Sequence, residues 1–212
     1  MKLYRFNYSN YCRKVEMALD LLGRSCELVE VPYGERGELL KVSGALSVPV
    51  LVEDDGTVIA DSRRICAHLA AGPGGERLVP PTLAGPVWAY AEFCDGALED
   101  ILFRLAAPGI RRRFASAADR ALFTLIKERR YGAGCLDAWE RELSALVGRG
   151  REALAPTLTT LERVPFLFGA EPTLADAALH GQLAMVKIGG YDPAELGKGL
   201  AAWMDRLPGS DA

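Results

Sequence analysis

Paired cysteines, long apolar runs and an excess of positive charge are all missing from this chain. Its five cysteines, Cys12, Cys26, Cys66, Cys94 and Cys135, are odd in number, widely spaced and without a C-x-x-C pair. That pattern excludes a disulfide framework and a zinc site, so we expect a reducing, cytoplasmic setting and no bound metal. No stretch is long and apolar enough to span a bilayer. The start, Met1-Lys2-Leu3-Tyr4-Arg5-Phe6-Asn7, reaches charge too soon for the apolar core of a secretion signal, and no membrane partner is expected. The formal net charge of -3 provides no overall positive field for a nucleic-acid backbone, so nucleic acid is not an expected partner. Only two histidines occur, His68 and His180. They fall in separate expected helices with no triad or metal spacing and read as structural.

What is present describes a folded protein. The 212 residues are 50% hydrophobic and 25% charged, a globular balance with length for one large domain or two small ones. The first 70 or so residues alternate strand and helix patterns. Leu3 to Phe6 reads as a strand. Tyr11 to Leu22 carries Tyr11, Val15, Ala18, Leu19 and Leu22 at helical spacing and is closed by Gly23. Cys26 to Val31 is a second strand, completing a βαβ unit whose crossover helix implies parallel pairing. After a loop with room for a short helix, Val48 to Val52 and Thr57 to Ala60 flank Glu53-Asp54-Asp55-Gly56, a hairpin signal. Asp61-Ser62 then opens a helix to about Ala71.

Gly72-Pro73-Gly74-Gly75 and Pro80-Pro81 concentrate the turn formers, and beyond them strand patterns stop. The domains are therefore expected at 1–72, with a linker over 73–85 and an all-helical second domain at 86–212. Its expected helices are Pro86 to Ala107, Arg113 to Arg130, Leu136 to Val164 with a break near Gly148-Gly150 or Pro156, Thr173 to Ile188, and Pro193 to Leu207.

An α/β thioredoxin-like unit followed by an all-α bundle resembles the glutathione transferase superfamily, and four local motifs carry the resemblance. Ser9-Asn10-Tyr11-Cys12 lies between the first strand and first helix, where that family keeps its active-site residue. Ser47-Val48-Pro49-Val50-Leu51 is similar to its Val-Pro segment with a cis proline. Asp61-Ser62-Arg63-Arg64-Ile65 is similar to its acidic-Ser motif, and Pro172-Thr173-Leu174-Ala175-Asp176 to its helical capping box. The resemblance implies glutathione as co-substrate, a hydrophobic electrophile as second substrate, and a homodimer.

It also implies roles for particular residues. Ser62, its hydroxyl joined by free N–H groups of the first helical turn, would hold the γ-glutamyl carboxylate, with Asp61 facing the adjacent ammonium. Without the family context, Asp61-Ser62 is simply a helix cap. Val48, beside Pro49, would pair its backbone with the cysteinyl unit as a strand adds to a sheet edge. Ser9 would donate a charge-assisted hydrogen bond to the thiolate, helped by the helix dipole, or else cap the helix with the same single-proton hydroxyl. Cys12, one turn further on, is the alternative thiol for a glutathione-dependent oxidoreductase, or an inert core residue. Tyr8 and Tyr11 are further phenolic donors, although Arg5 stands where tyrosine-using classes keep theirs. Ser43-Gly44-Ala45-Leu46-Ser47 lacks the usual lysine, leaving Arg36, Lys41 or Arg13 as replacements. Arg111-Arg112-Arg113 reads as a solvated helix start, with attraction of an anionic co-substrate as the other reading. Trp88, Tyr90, Phe93 and Phe103 are candidates for an apolar pocket or for the core. A non-catalytic binding or interaction module of the same fold is the remaining alternative.

Overall fold

The computed structural model describes residues 1–209, so the limit expected at 212 lies outside the described residues. The N-terminal part folds as β1 (Lys2–Arg5), α1 (Asn10–Leu21), β2 (Glu27–Glu30), α2 (Gly37–Ser43), β3 (Val50–Val52), β4 (Val58–Ala60) and α3 (Ser62–Ala71). The four strands form one mixed sheet in the order β2-β1-β3-β4, with β1 parallel to β2 and antiparallel to β3. The β3–β4 hairpin turns at Gly56, whose φ of 86° is open to glycine at no steric cost. On α1, Val15, Ala18 and Leu19 are almost fully buried, as their spacing requires.

The remainder is helical: α4 (Gly75–Leu78), α5 (Ala84–Phe93), α6 (Glu99–Arg113), α7 (Ala117–Tyr131), α8 (Cys135–Arg141), α9 (Leu143–Leu161), α10 (Leu174–Ile188) and α11 (Leu200–Met204). The Gly/Pro-rich segment is not featureless, because α4 and a 3₁₀ turn at Pro81–Leu83 occupy it and Leu78 is fully buried.

Several helix limits differ from expectation. A π turn over Cys94–Leu98 joins α5 to α6, and the helix runs through Pro108 to Arg113. Arg111-Arg112-Arg113 therefore sits at a helix end, where its charge suits the dipole. Arg111 pairs with Asp137, and Arg112 with Glu140. The expected break at Gly148-Gly150 or Pro156 does not occur; the chain bends at Glu142 instead, between α8 and α9. Gly150 serves packing rather than termination, since a Cβ there would lie 2.8 Å from Leu196. The last expected helix is split into a 3₁₀ turn at Pro193–Glu195 and α11, with Gly199 at a φ of 96° between them.

Helix α10 is the axis of the helical part and packs along α1. Gly181 permits this approach, because a Cβ there would fall 2.4 Å from the Asn10 carbonyl oxygen. The contact pins the start of α1, and hence the loop that carries Ser9, against the helical domain.

His180, also on α10, is buried with its Nδ1 unpaired among the described residues. Burial, with Arg13 and Lys187 adding to it, holds its pKa down at about 4 against 6.5 for the free group. Below pH 6.5 the unfolded chain takes up a proton that the folded chain refuses until about pH 4. Stability should therefore fall by about 3 kcal/mol across that interval as pH drops. Denaturant unfolding of the parent and of His180→Leu along that range checks this; parallel losses in the two proteins would exclude His180 as the cause.

Candidate functional site

The loop after β1 delivers Ser9 to the N-cap of α1, in extended backbone, where its Oγ accepts from the Cys12 N–H at 3.4 Å. Capping uses an oxygen lone pair and leaves the hydroxyl proton free. The two roles read from the sequence are therefore compatible rather than exclusive.

The Val48–Pro49 peptide is cis, as the resemblance implies. Pro49 returns its carbonyl to the Asp61 N–H at 3.3 Å, whereas neither the Val48 N–H nor its carbonyl bonds to any group among the described residues. Buried or half-buried backbone groups are almost always paired. The open pair on Val48 is thus an unfilled strand edge.

Asp61 is the N-cap of α3, as the helix-cap reading of Asp61-Ser62 has it. Its carboxylate accepts from the N–H groups of Arg63 at 2.9 Å and Arg64 at 3.1 Å. The first-turn N–H groups assigned to a ligand carboxylate are therefore already taken, and what remains for an anion is Ser62 itself. Ser62 is 5% exposed and its hydroxyl bonds to no described residue. Asp61 has a φ of 81°, the one non-glycine in left-handed territory among the described residues. Residues held there at a cost of order 1–3 kcal/mol cluster at functional sites.

Two adjoining clefts gather these residues. One, of about 430 Å³, is lined by Pro49, Asp61, Ser62, Arg63 and Asp95. The other, of about 230 Å³, is lined by Ser9, Arg36, Glu99, Lys127 and Arg130. Tyr11, Ser47 and Val48 border both, making one continuous trough. Ser9, Val48, Pro49, Asp61 and Ser62 are all on it.

Cys12 is not. Its side chain is 0% exposed and borders neither cleft, and burial pushes its thiol up to about 12. A thiol there is neither accessible nor ionised at neutral pH.

Of the three proposed replacements for the missing lysine, Arg36 is the one at the trough. Its guanidinium donates to the carbonyls of Tyr33 and Leu46, each at 2.9 Å, and lies over the Phe6 and Tyr33 rings. Arg13 donates to Asn7 and Glu16, and Lys41 borders a separate depression beside β2. Arg5 pairs with Glu16 and Glu30. The Tyr11 hydroxyl donates to the Asp95 carbonyl at 3.3 Å.

Of the four candidate pocket aromatics only Phe103 reaches the trough. Trp88 lies under Arg63, and Tyr90 packs on Phe93 and hydrogen-bonds Thr157. Beside Phe103, the aromatic side chains on the trough are Phe6, Tyr8, Tyr11, Tyr33 and Tyr131, with Phe114 and Phe123 packed behind Tyr8 and Tyr33. Lys127 and Arg130 were missed by the sequence reading because charge surrounds this turn of α7, with Glu128 and Arg129 between them. No periodicity there singles out the face that lines the cleft holding Ser9.

Among the described residues no group of histidine, cysteine or carboxylate side chains is arranged to hold a metal, and no helix is long and apolar enough to cross a membrane. All five cysteines are unpaired.

Comparison with known proteins agrees with this geometry. No curated protein matches the chain. Among solved structures, a glutathione S-transferase from Rhodospirillum rubrum F11 is similar at 25% identity and a TM-score of 0.73, over 99% of this chain and 89% of that one. A glutathione S-transferase from Xanthobacter autotrophicus Py2 is similar at 26% and 0.65, over 97% and 91%. Glutaredoxin 2 from Salmonella typhimurium, in complex with glutathione, shares the fold at 18% and 0.71, over 97% and 94%. The glutathione S-transferase N-terminal domain family matches residues 3–77 and the glutathione S-transferase C-terminal domain family residues 129–206. With both characteristic domains in order along it, the chain belongs to the glutathione transferase superfamily.

Proposed function

We propose that the protein is a glutathione transferase that binds the tripeptide along the trough and directs its thiolate at a hydrophobic electrophile. The observation that carries this reading is the open hydrogen-bonding pair of Val48 lying between Ser62 and Ser9. A peptide paired on Val48 places a γ-glutamyl carboxylate at the Ser62 hydroxyl, its ammonium near the free Asp61 oxygen, and its sulfur by Ser9. Arg36 is then the cation for the glycine carboxylate. Ser9 stabilises the thiolate by donation, and proximity to the second substrate supplies much of the remaining acceleration.

The burial and raised pKa of Cys12 weigh against the oxidoreductase reading. A binding module remains the rival, and turnover distinguishes the two. The homodimer is carried by the family resemblance, the cytoplasmic setting by the unpaired cysteines, and the division into a glutathione-binding domain over 1–72 and a helical domain from 86 by the Gly/Pro-rich segment at which strand patterns stop.

Ser62→Ala should weaken glutathione binding by about 1.5–3 kcal/mol, the worth of a hydrogen bond to a charged group, which is tenfold or more in Kd. Calorimetric titration measures this directly. An unchanged affinity in a folded variant would remove Ser62 from the site. Because Asp61 holds the cap, the loss of helix stability should be small.

A further inference from the structure

The cation pair on α7 has no partner that explains it. Lys127 Nζ lies 4.5 Å from the centre of the Phe103 ring and 5.1 Å from that of Phe123, half-buried at the wall of the trough that the helical domain contributes. No carboxylate stands within ion-pair distance of Lys127 or Arg130 among the described residues. Arg130 rests on the Tyr131 ring at 5.0 Å. Ring faces return only part of the hydration an ammonium loses on burial. Burial, aided by the neighbouring Arg130, accordingly holds the Lys127 pKa down at about 8.

Glu99 borders the same space without forming an ion pair with either cation, so three cations, Arg36, Lys127 and Arg130, stand there against one carboxylate and the cavity is positive. Arg36 is tied to the N-terminal domain beside Val48. Lys127 and Arg130 come from the helical domain, together with Phe103 and Met185.

We propose that Lys127 and Arg130 form an oxyanion site for the second substrate, which is an electrophile with an apolar body and a carboxylate or equivalent anionic group. The inference rests on the reading of the trough as a conjugation site. The apolar body lies against Phe103 and Met185, and the anion takes the unpaired cations. An anion docked there returns to Lys127 the counter-charge that the fold withholds.

The test separates this from the parent reading. Binding of an unreactive dinitrobenzoate and of its methyl ester is measured by calorimetry on the protein loaded with S-methylglutathione. The parent should bind the acid more tightly than the ester. In Lys127→Met, and separately in the exposed Arg130→Met, the ratio of acid to ester affinity should fall about tenfold, and Lys127→Arg should recover it. Equal affinities in the parent, or a ratio unmoved by both substitutions, would overturn the proposal. So would loss of glutathione affinity without a change in the ratio, which would give the cations to the tripeptide. Conjugation of the reactive chlorodinitrobenzoate is read in parallel: its absence in the parent sinks the transferase reading, while the binding ratio still decides the anion site.

Discussion

Ser9→Ala is expected to raise the pKa of the bound glutathione thiol by about one to two units and to cut conjugation near neutral pH by about tenfold or more. A hydrogen bond to a charged group is worth about 1.5–3 kcal/mol, and each pKa unit is 1.36 kcal/mol. Because the hydroxyl acts on the ionised sulfur, affinity for the tripeptide should change far less than turnover. Capping is the secondary role: the bond from the Cys12 N–H is long at 3.4 Å, so stability should drop by about 1 kcal/mol or less. The pH profile of turnover and a spectroscopic titration of the bound thiol measure the effect. Cys12→Ala should leave conjugation nearly intact, since that thiol is sealed in the core. Normal turnover in Ser9→Ala with loss in Cys12→Ala would move the chemistry to a redox cycle, and indifference to both without turnover would favour the binding module.

The largest stability effect is expected at Asp176, which is fully buried at the start of α10. Its carboxylate accepts from the Thr173 N–H at 2.9 Å and hydroxyl at 3.1 Å, from the Leu167 N–H at 3.0 Å and from the Trp203 indole at 3.3 Å. Asp176→Ala would strand four donors in the interior, each at a cost of about 1–3 kcal/mol when unpaired, and the net loss should be on the order of 3–5 kcal/mol. That is about a fifth or more of the stability of an ordinary domain. Asp176→Asn, which keeps the shape but turns one acceptor into a donor, should fall between the two. Denaturant unfolding of the three proteins decides the matter, and a loss within about 1 kcal/mol in the alanine variant would show that water or a shifted backbone replaces the carboxylate.

Asp176 also illustrates the division between what could be read and what could not. Thr173 and Asp176 are three apart before an apolar helix, so the capping box follows from local spacing, and the structure contains it. The bonds from Leu167 and Trp203 come from nine residues before Asp176 and 27 after it, beyond the reach of any helical spacing, and no local pattern announces them.

The same boundary runs through the site. Strand and helix order in the first 70 residues was legible because hydrophobic period, caps and turn glycines are local properties. The positions of Ser9, Val48 and Ser62 at element ends were legible for that reason. Which N–H groups Asp61 occupies was not, because that depends on a backbone with a φ of 81° that no spacing encodes.

Helix limits failed where glycine or proline serves packing. Gly150 fits against Leu196 and Leu102 inside α9 instead of ending it. The sequence by itself determined the two-part architecture, the family and the element ends that carry the candidate residues. Only the tertiary structure decided that Cys12 is sealed, that Arg36 is the cation beside Val48, and that Lys127 and Arg130 line the cleft that holds Ser9. Those outcomes depend on how α7 and α10 dock onto the sheet domain, which is settled by side-chain volume and close backbone approach across long sequence separations.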